Sequence, residues 1–307
     1  MNNAINPNPP STSGLSDGHP MAKHIGQQFH SISDDGKVTM SIPFNKKFIG
    51  NTIEQSMHLG PITAVLDAAA GMAVMKANGS FAPIVTLDLR VDSLHPANED
   101  YVITVECYCY LRKGDLFYVQ GIAWQSSREK PVLAFYSVFM AAPTSHNADG
   151  TSSEAPPLEG KIQNPTRTNE HIQFTPEAHN IFSVVPYSQD LEIEVGINEH
   201  QKRIIKLPFA DRHIGNPFTK ALQGGIFLGF LETVGSVYLL DIYPELKQSA
   251  SASFFMEYLK APKPQDTFAK VTASKIGRRI VNIDIEAFQL GRGIIAKASG
   301  RYVVINQ

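Results

Sequence analysis

The chain contains the same stretch twice. Residues 43–67 read PFNKKFIGNTIEQSMHLGPITAVLD and residues 208–232 read PFADRHIGNPFTKALQGGIFLGFLE, aligned without a gap at a constant offset of 165. Seven of these 25 positions are identical: Pro43/Pro208, Phe44/Phe209, Ile49/Ile214, Gly50/Gly215, Asn51/Asn216, Gly60/Gly225 and Leu66/Leu231. Chance at average residue usage supplies about one or two. Lys47/Arg212 and Asp67/Glu232 keep their chemistry at the same offset. The register runs on through Asp92/Glu257 and Leu94/Leu259 to Val138/Val303, so each copy spans more than a hundred residues. A repeat of this length calls for two units of one architecture rather than a single continuous fold.

Residues 142–170, between the copies, are rich in Pro, Ser, Thr and Asn and nearly lack large apolar side chains, the composition of an exposed linker. Residues 1–20 have neither the basic start nor the apolar run of a secretory signal and read as a disordered tail. The expected organisation is a tail over 1–20, a first unit over 21–141, a linker over 142–170 and a second unit over 171–307. With 43% hydrophobic and 18% charged residues, the chain has the balance of a globular protein with a real core. Its 27 basic and 29 acidic residues leave a net charge of −2, which gives no electrostatic footprint for nucleic acid or an anionic membrane. Asp67, Lys76, Glu232 and Asp241 interrupt the most apolar stretches, so no membrane span is expected. Cys107 and Cys109 are the only thiols; side by side on a strand they suit neither a disulfide nor a zinc site, which points to a reducing, cytoplasmic setting.

Local patterns repeat in order. Residues 37–44 alternate as a strand, and a long apolar helix from Gly60 is stopped by Asn78-Gly79. Period-two segments follow at 84–94, 101–111, 115–125 and 132–140, with Lys113-Gly114-Asp115 as a hairpin turn. The second copy has a helix over 225–240 and strands over 251–259, 266–276, 279–289 and 294–305. The fold class is α+β, each unit a mostly antiparallel sheet wrapped around one long central helix.

Both helices are apolar nearly all round and therefore buried, yet each carries a carboxylate in its middle, Asp67 or Glu232. An unpartnered buried carboxylate costs several kcal/mol, so retention in both copies points to function or to a dedicated set of hydrogen bonds. Nine residues before each acid, at the helix entrance, stand His58-Leu59-Gly60 and Gln223-Gly224-Gly225. A helix start offers unpaired N–H groups and the positive dipole end, suited to an oxyanion or a polarised carbonyl.

Asn, a His-Gly-Gly turn and a helix with Asp or Glu nine residues after the His resemble the hotdog-fold acyl-CoA thioesterases, particularly the phenylacetyl-CoA and hydroxybenzoyl-CoA group. Residues 85–97 (VTLDLRVDSLHPA) and 251–262 (SASFFMEYLKAP) resemble that family's strand after the helix, and residues 294–305 its closing strand. The resemblance implies two tandem hotdog units forming an internal pseudo-dimer, with each site between units: Asn51, His58, Leu59 and Gly60 facing Glu232, and Asn216, Gln223, Gly224 and Gly225 facing Asp67. Leu59, Gly60, Gly224 and Gly225 would supply oxyanion-hole amides. Ser236 matches a position where the hydroxybenzoyl-CoA enzymes carry Thr; Gly71 stands there in the first copy, so the Asp67 site lacks that hydroxyl. On this basis the Glu232 site is the favoured one, with His58 opposite and Ser236 alongside. His58 has a second reading, as a residue that merely closes its turn.

The reaction implied is hydrolysis of a fatty or aromatic acyl-CoA, the carboxylate either activating water or attacking to give a mixed anhydride. Arg112 and Lys113 in one hairpin turn and Arg278 and Arg279 in the other are candidate partners for CoA phosphates, although hairpin tips are often basic for solubility alone. No metal, nucleotide or other cofactor is implied. Exposed sheet edges leave room for two such chains to associate as a homodimer. Two other readings stand beside hydrolysis. A hydratase would need a His five residues after the acid, where Met72 and Val237 stand. A non-catalytic acyl-CoA-binding module would fit the altered turns.

Overall fold

The computed structural model describes residues 18–79, 84–141, 172–174, 185–216, 220–243 and 250–304. The linker expected over 142–170 and residues 1–17 of the expected tail lie outside them. The first copy forms α1 (Pro20–Ile25), β1 (Gln28–Ile32), β2 (Val38–Ile42), β3 (Ile49–Asn51), β4 (Ser56–Met57), α2 (Leu59–Asn78), β5 (Ile84–Ser93), β6 (Ile103–Lys113), β7 (Leu116–Trp124) and β8 (Pro131–Ala141). The second forms β9 (Ile172–Phe174), α3 (Pro186–Asp190), β10 (Glu194–Asn198), β11 (Arg203–Leu207), β12 (Ile214–Asn216), β13 (Ala221–Leu222), α4 (Gly224–Ile242), β14 (Ala250–Tyr258), β15 (Thr267–Ile276), β16 (Ile280–Gln289) and β17 (Gly293–Val303). The expected order, one central helix followed by four strands, recurs in both copies.

Local chemistry accounts for the main boundaries. The His58 side chain caps α2, and Gly79, at φ 71°, ends it in the left-handed conformation that glycine adopts without strain. Gly114, at φ 62°, turns β6 into β7. Along β7, buried and partly buried residues alternate, the signature of a strand with one face on the core.

Thirteen of the seventeen strands among the described residues form one antiparallel sheet in the order β1-β2-β6-β7-β8-β5-β14-β17-β16-β15-β11-β10-β9. Its centre is a pseudo-twofold axis. Asp88 pairs with Glu257, Arg90 with Phe255 and Asp92 with Ser253, and the offset of 165 exchanges the first and last of these pairs. The sheet's inner face encloses α2 and α4 in one core, which includes Val65, Leu66, Phe117, Phe135, Phe227, Phe230 and Phe254. Burying side chains of this size contributes about 1.5–3 kcal/mol each. Both helices are long and apolar enough to cross a membrane by length and composition, and here most of each is covered by the protein itself. They meet at small residues: a Cβ on Gly225 would strike the Thr63–Ala64 backbone, and one on Gly60 would meet Tyr187 and the Gly229 backbone.

The register differs from the sequence reading in the last strand. Val138 pairs with Asp88, but Arg301 pairs with Ser253, so the offset there is 163 (301 − 138) and Val138 corresponds to Arg301, not Val303. The loop before β17 is shorter than the one before β8, and the strand has shifted by one full side-chain period, which keeps the same face inward. The short helices were not foreseen. α1 packs on the 3-10 turn Asp211–His213 and on β12 of the other unit, and α3 packs reciprocally on the turn Lys46–Phe48 and on β3. Where the two helices meet, His24 Nε2 lies 3.0 and 2.9 Å from the two carboxylate oxygens of Asp190.

Candidate active site

Each helix carboxylate meets the capping residue of the other unit's helix, giving two composite centres. At the first, His58 Nδ1 accepts the Gly60 N–H at 3.0 Å, and Nε2 lies 2.8 Å from Glu232 Oε2. Because Nδ1 serves as an acceptor, the ring is the neutral tautomer with its proton on Nε2, donated to the carboxylate. Ser236 donates to Glu232 Oε1 at 3.2 Å, and Tyr302 O–H holds the Glu232 backbone carbonyl at 2.9 Å. Tyr187, carried across by α3, stacks on His58 with ring centroids 4.1 Å apart. Its hydroxyl is wedged between Gly60 and Gly229, buried and without a partner among the described residues. Glu232 is only 4% exposed, so this centre is sealed and both of its carboxylate oxygens are engaged.

At the second centre Gln223 takes the same two roles. Its Oε1 accepts the Ile226 N–H at 2.9 Å, and its Nε2 donates to Asp67 Oδ2 at 3.0 Å. The other N–H of that amide goes to the Ala64 carbonyl at 3.0 Å. The equivalent carbonyl in the second unit is that of Gly229, and it is served by Thr233 Oγ1 at 2.9 Å, where the first unit has Ala68. A neutral histidine has one N–H to give and a glutamine has two, so the choice of cap and the presence of the threonine go together. Thr86 Oγ1, from β5, lies 3.4 Å from Asp67 Oδ1, and the Gly224 N–H also donates to this carboxylate. Asp67 is partly buried rather than sealed, and loss of hydration pushes its pKa up to about 7, the hydrogen bonds from Thr86 and Gly224 opposing the rise.

The structure thus brings Glu232, His58 and Ser236 together, and separately Asp67 with Gln223 and Gly224. Asn51 is not brought to either acid: its Oδ1 accepts from Ile53 and Glu54 N–H and its Nδ2 donates to Glu54, a local turn. Asn216 ends β12, and its side chain lies outside the described residues. Two of the four amides expected in an oxyanion hole are already committed, Gly60 to the His58 ring and Gly224 to Asp67. Pro61 has no N–H, so Leu59 keeps the one donor at its helix start without a partner among the described residues; Gly225 is pressed against α2. Arg112, Lys113, Arg278 and Arg279 sit at the ends of the hairpins β6–β7 and β15–β16; Arg112 bonds the Gly114 carbonyl and lies over Phe117.

The helix hydroxyl of Ser236 has no counterpart at Gly71, and at the Asp67 centre Thr86 provides a hydroxyl from a strand instead. A signal for it was present: Thr86 and Ser251 keep a hydroxyl at the offset of 165. Tyr187 and Tyr302 carried no such signal, since Tyr187 arrives on an unforeseen helix and Tyr302 on the shifted strand.

Residues 54–132 match the family model described as Thioesterase superfamily. Among curated proteins none matches the sequence. Several solved structures are similar over nearly the whole chain. One is the tesB protein of Mycobacterium avium subspecies paratuberculosis, with a TM-score of 0.58 at 9% identity, covering 96% of this chain and 100% of that one. Another is a conserved protein of unknown function with a hot dog fold from Alicyclobacillus acidocaldarius, with a TM-score of 0.55 at 12% identity, covering 90% and 96%. A third is the acyl-CoA thioesterase II TesB2 of Mycobacterium marinum, with a TM-score of 0.52 at 10% identity, covering 91% and 95%. The fold of the chain is therefore the tandem hotdog that the repeat and the resemblance implied.

Proposed function

We propose that the chain is a thioester hydrolase acting on acyl-CoA and that its working centre is built on Asp67. The observation that carries this reading is a contrast in access: Glu232 is 4% exposed, whereas Asp67 is partly exposed and has its pKa raised to about 7. A group with that pKa takes and returns a proton near neutrality, the requirement for general base work. The family match over residues 54–132 supports thioester hydrolysis in general, and the likeness to the acyl-CoA thioesterase II of Mycobacterium marinum supports CoA as the carrier. This reading departs from the preference for the Glu232 site drawn from His58 and Ser236: in it those residues satisfy a buried carboxylate.

In this reading Gln223 fixes the carboxylate, and Thr86 helps orient the attacking water. Asp67 removes a proton from that water as its oxygen adds to the thioester carbon. Collapse of the tetrahedral intermediate expels CoA thiolate, which recovers the proton from Asp67. Direct attack by the carboxylate is the weaker variant, because hydrogen bonds from Gln223, Gly224 and Thr86 occupy both oxygens. The cations at the hairpin tips, Arg112, Lys113, Arg278 and Arg279, are proposed to meet the CoA phosphates. The test is thiol release from short, medium, long and aromatic acyl-CoA by the purified chain and by Asp67→Asn. Turnover that disappears in the variant supports the reading. Acyl-CoA binding without any turnover would replace it with a non-catalytic binding module.

A further inference from the structure

A thioester carbonyl arriving at the Asp67 centre needs a hydrogen-bond donor as its oxygen gains charge, and the start of α4 has little to offer. The Gly224 N–H is committed to Asp67, the Ile226 N–H to Gln223 Oε1, and Gly225 is pressed against the Thr63–Ala64 backbone. Tyr258, the last residue of β14, reaches this point from the sheet. A Cβ on Gly224 would stand 2.6 Å from Asp67 Oδ2 and 2.9 Å from the Tyr258 hydroxyl oxygen, so those two oxygens are at most 5.5 Å apart. They do not hydrogen-bond to each other, and the Tyr258 hydroxyl has no hydrogen-bond partner among the described residues. Two oxygens within that limit are close enough for one substrate oxygen to lie within hydrogen-bond reach of both, about 2.7–2.8 Å from each.

Two features fix the hydroxyl as a donor. The ring is held in place, tilted against Phe227 with centroids 5.9 Å apart. Burial and the neighbouring Asp67 charge push the phenol pKa well above its ordinary value, so the proton stays on. In the first unit the residue at the offset of 165 is Ser93, exposed and short, so this donor belongs to the Asp67 centre alone.

We propose that Tyr258 is a catalytic residue of the Asp67 centre, its hydroxyl donating to the thioester carbonyl oxygen as that oxygen becomes an oxyanion. The proposal rests on the thioesterase reading above. As water adds to the carbonyl carbon and Asp67 takes its proton, the C=O electron pair moves onto the oxygen held by Tyr258. When the C=O bond re-forms the C–S bond breaks, and the thiolate leaves with the proton from Asp67. Tyr258 keeps its own proton throughout.

The experiment compares the wild-type chain, Tyr258→Phe and Asp67→Asn on the acyl-CoA panel, with kcat, KM, pH profile and thermal midpoint for each. Loss of one oxyanion donor lowers kcat by about 10²–10³-fold. The expected result is a loss of that size in Tyr258→Phe, with KM within threefold, an unchanged midpoint, and the rise of rate through pH 7 retained because Asp67 is intact. A Tyr258→Phe enzyme within threefold of wild-type kcat, beside an inactive Asp67→Asn, overturns the role of Tyr258 and leaves the hydrolase reading standing. A wild-type chain that turns over nothing overturns both. Should Tyr258→Phe melt early, 3-fluorotyrosine at position 258 keeps the hydroxyl and makes it more acidic: a changed kcat at constant KM supports the proposal, and an unchanged kcat refutes it.

Discussion

The two carboxylate centres began as copies and now differ in what surrounds them. Around Glu232 the chain has placed a histidine, a serine, a threonine and a stacked tyrosine, and water is excluded. Around Asp67 it has kept an amide, a strand threonine and a tyrosine hydroxyl with no partner among the described residues, and the carboxylate is partly exposed. In the first centre side chains of the protein engage both carboxylate oxygens; in the second, the Tyr258 hydroxyl beside the carboxylate has no partner among the described residues. A buried carboxylate with both oxygens held is suited to a structural role, and a partly exposed one whose pKa is raised by loss of hydration is suited to proton transfer.

Activity gives the widest test of this contrast. Asp67→Asn is expected to lower kcat at least a thousandfold (about 4 kcal/mol of barrier), while Glu232→Gln stays within threefold of wild type; equal losses in steady-state assays would erase the distinction. Stability should run the opposite way. His58→Ala strands a carboxylate that is 4% exposed and is expected to cost about 3–5 kcal/mol in urea unfolding. Gln223→Ala should cost clearly less, because Asp67 escapes by taking up a proton.

The pH dependence follows from the direction of the Asp67 shift. Its folded-state pKa, about 7, lies above the ordinary 3.8, so the folded chain binds the extra proton between those values. Stability from this group is therefore greatest below pH 4 and falls as pH rises through 7. Thermal melts should show Asp67→Asn more stable than wild type at pH 8 and no more stable at pH 4, whereas kcat/KM of the wild type rises across the same interval.

Smaller effects sharpen the comparison of caps. His58→Gln brings a second N–H that Thr233 makes redundant, so the double variant with Thr233→Ala should be more stable than the two single losses added together, by about 1 kcal/mol in a double-mutant cycle. Tyr187→Phe removes a hydroxyl that is buried without a partner among the described residues and is expected to be neutral or to gain up to about 1 kcal/mol.

Much of this architecture was legible in the sequence because it is written twice. The repeat and local periodicity located both central helices and all eight strands after them, and the resemblance to the hotdog thioesterases implied both facing pairs, His58 with Glu232 and Gln223 with Asp67. What remained hidden lacked periodicity or depended on distant packing. α1 and α3 are too short to show a helical pattern, and they repeat outside the matched window. Access was hidden for a related reason: histidine and serine beside an acid suggest catalysis as residue types, and only the fold shows that the acid they hold is buried. Asn51 is identical in both copies at Asn216, yet it serves its own turn.

The composite construction of the centres has a bearing on how such a chain changes over time. In a dimer of identical subunits every substitution alters both centres at once, so neither can be abandoned without losing the other. Here His58 and Glu232 occur in one centre, and Gln223 and Asp67 in the other, each encoded once. Fusing the two units broke that symmetry at the level of heredity: a substitution in one centre no longer alters the other.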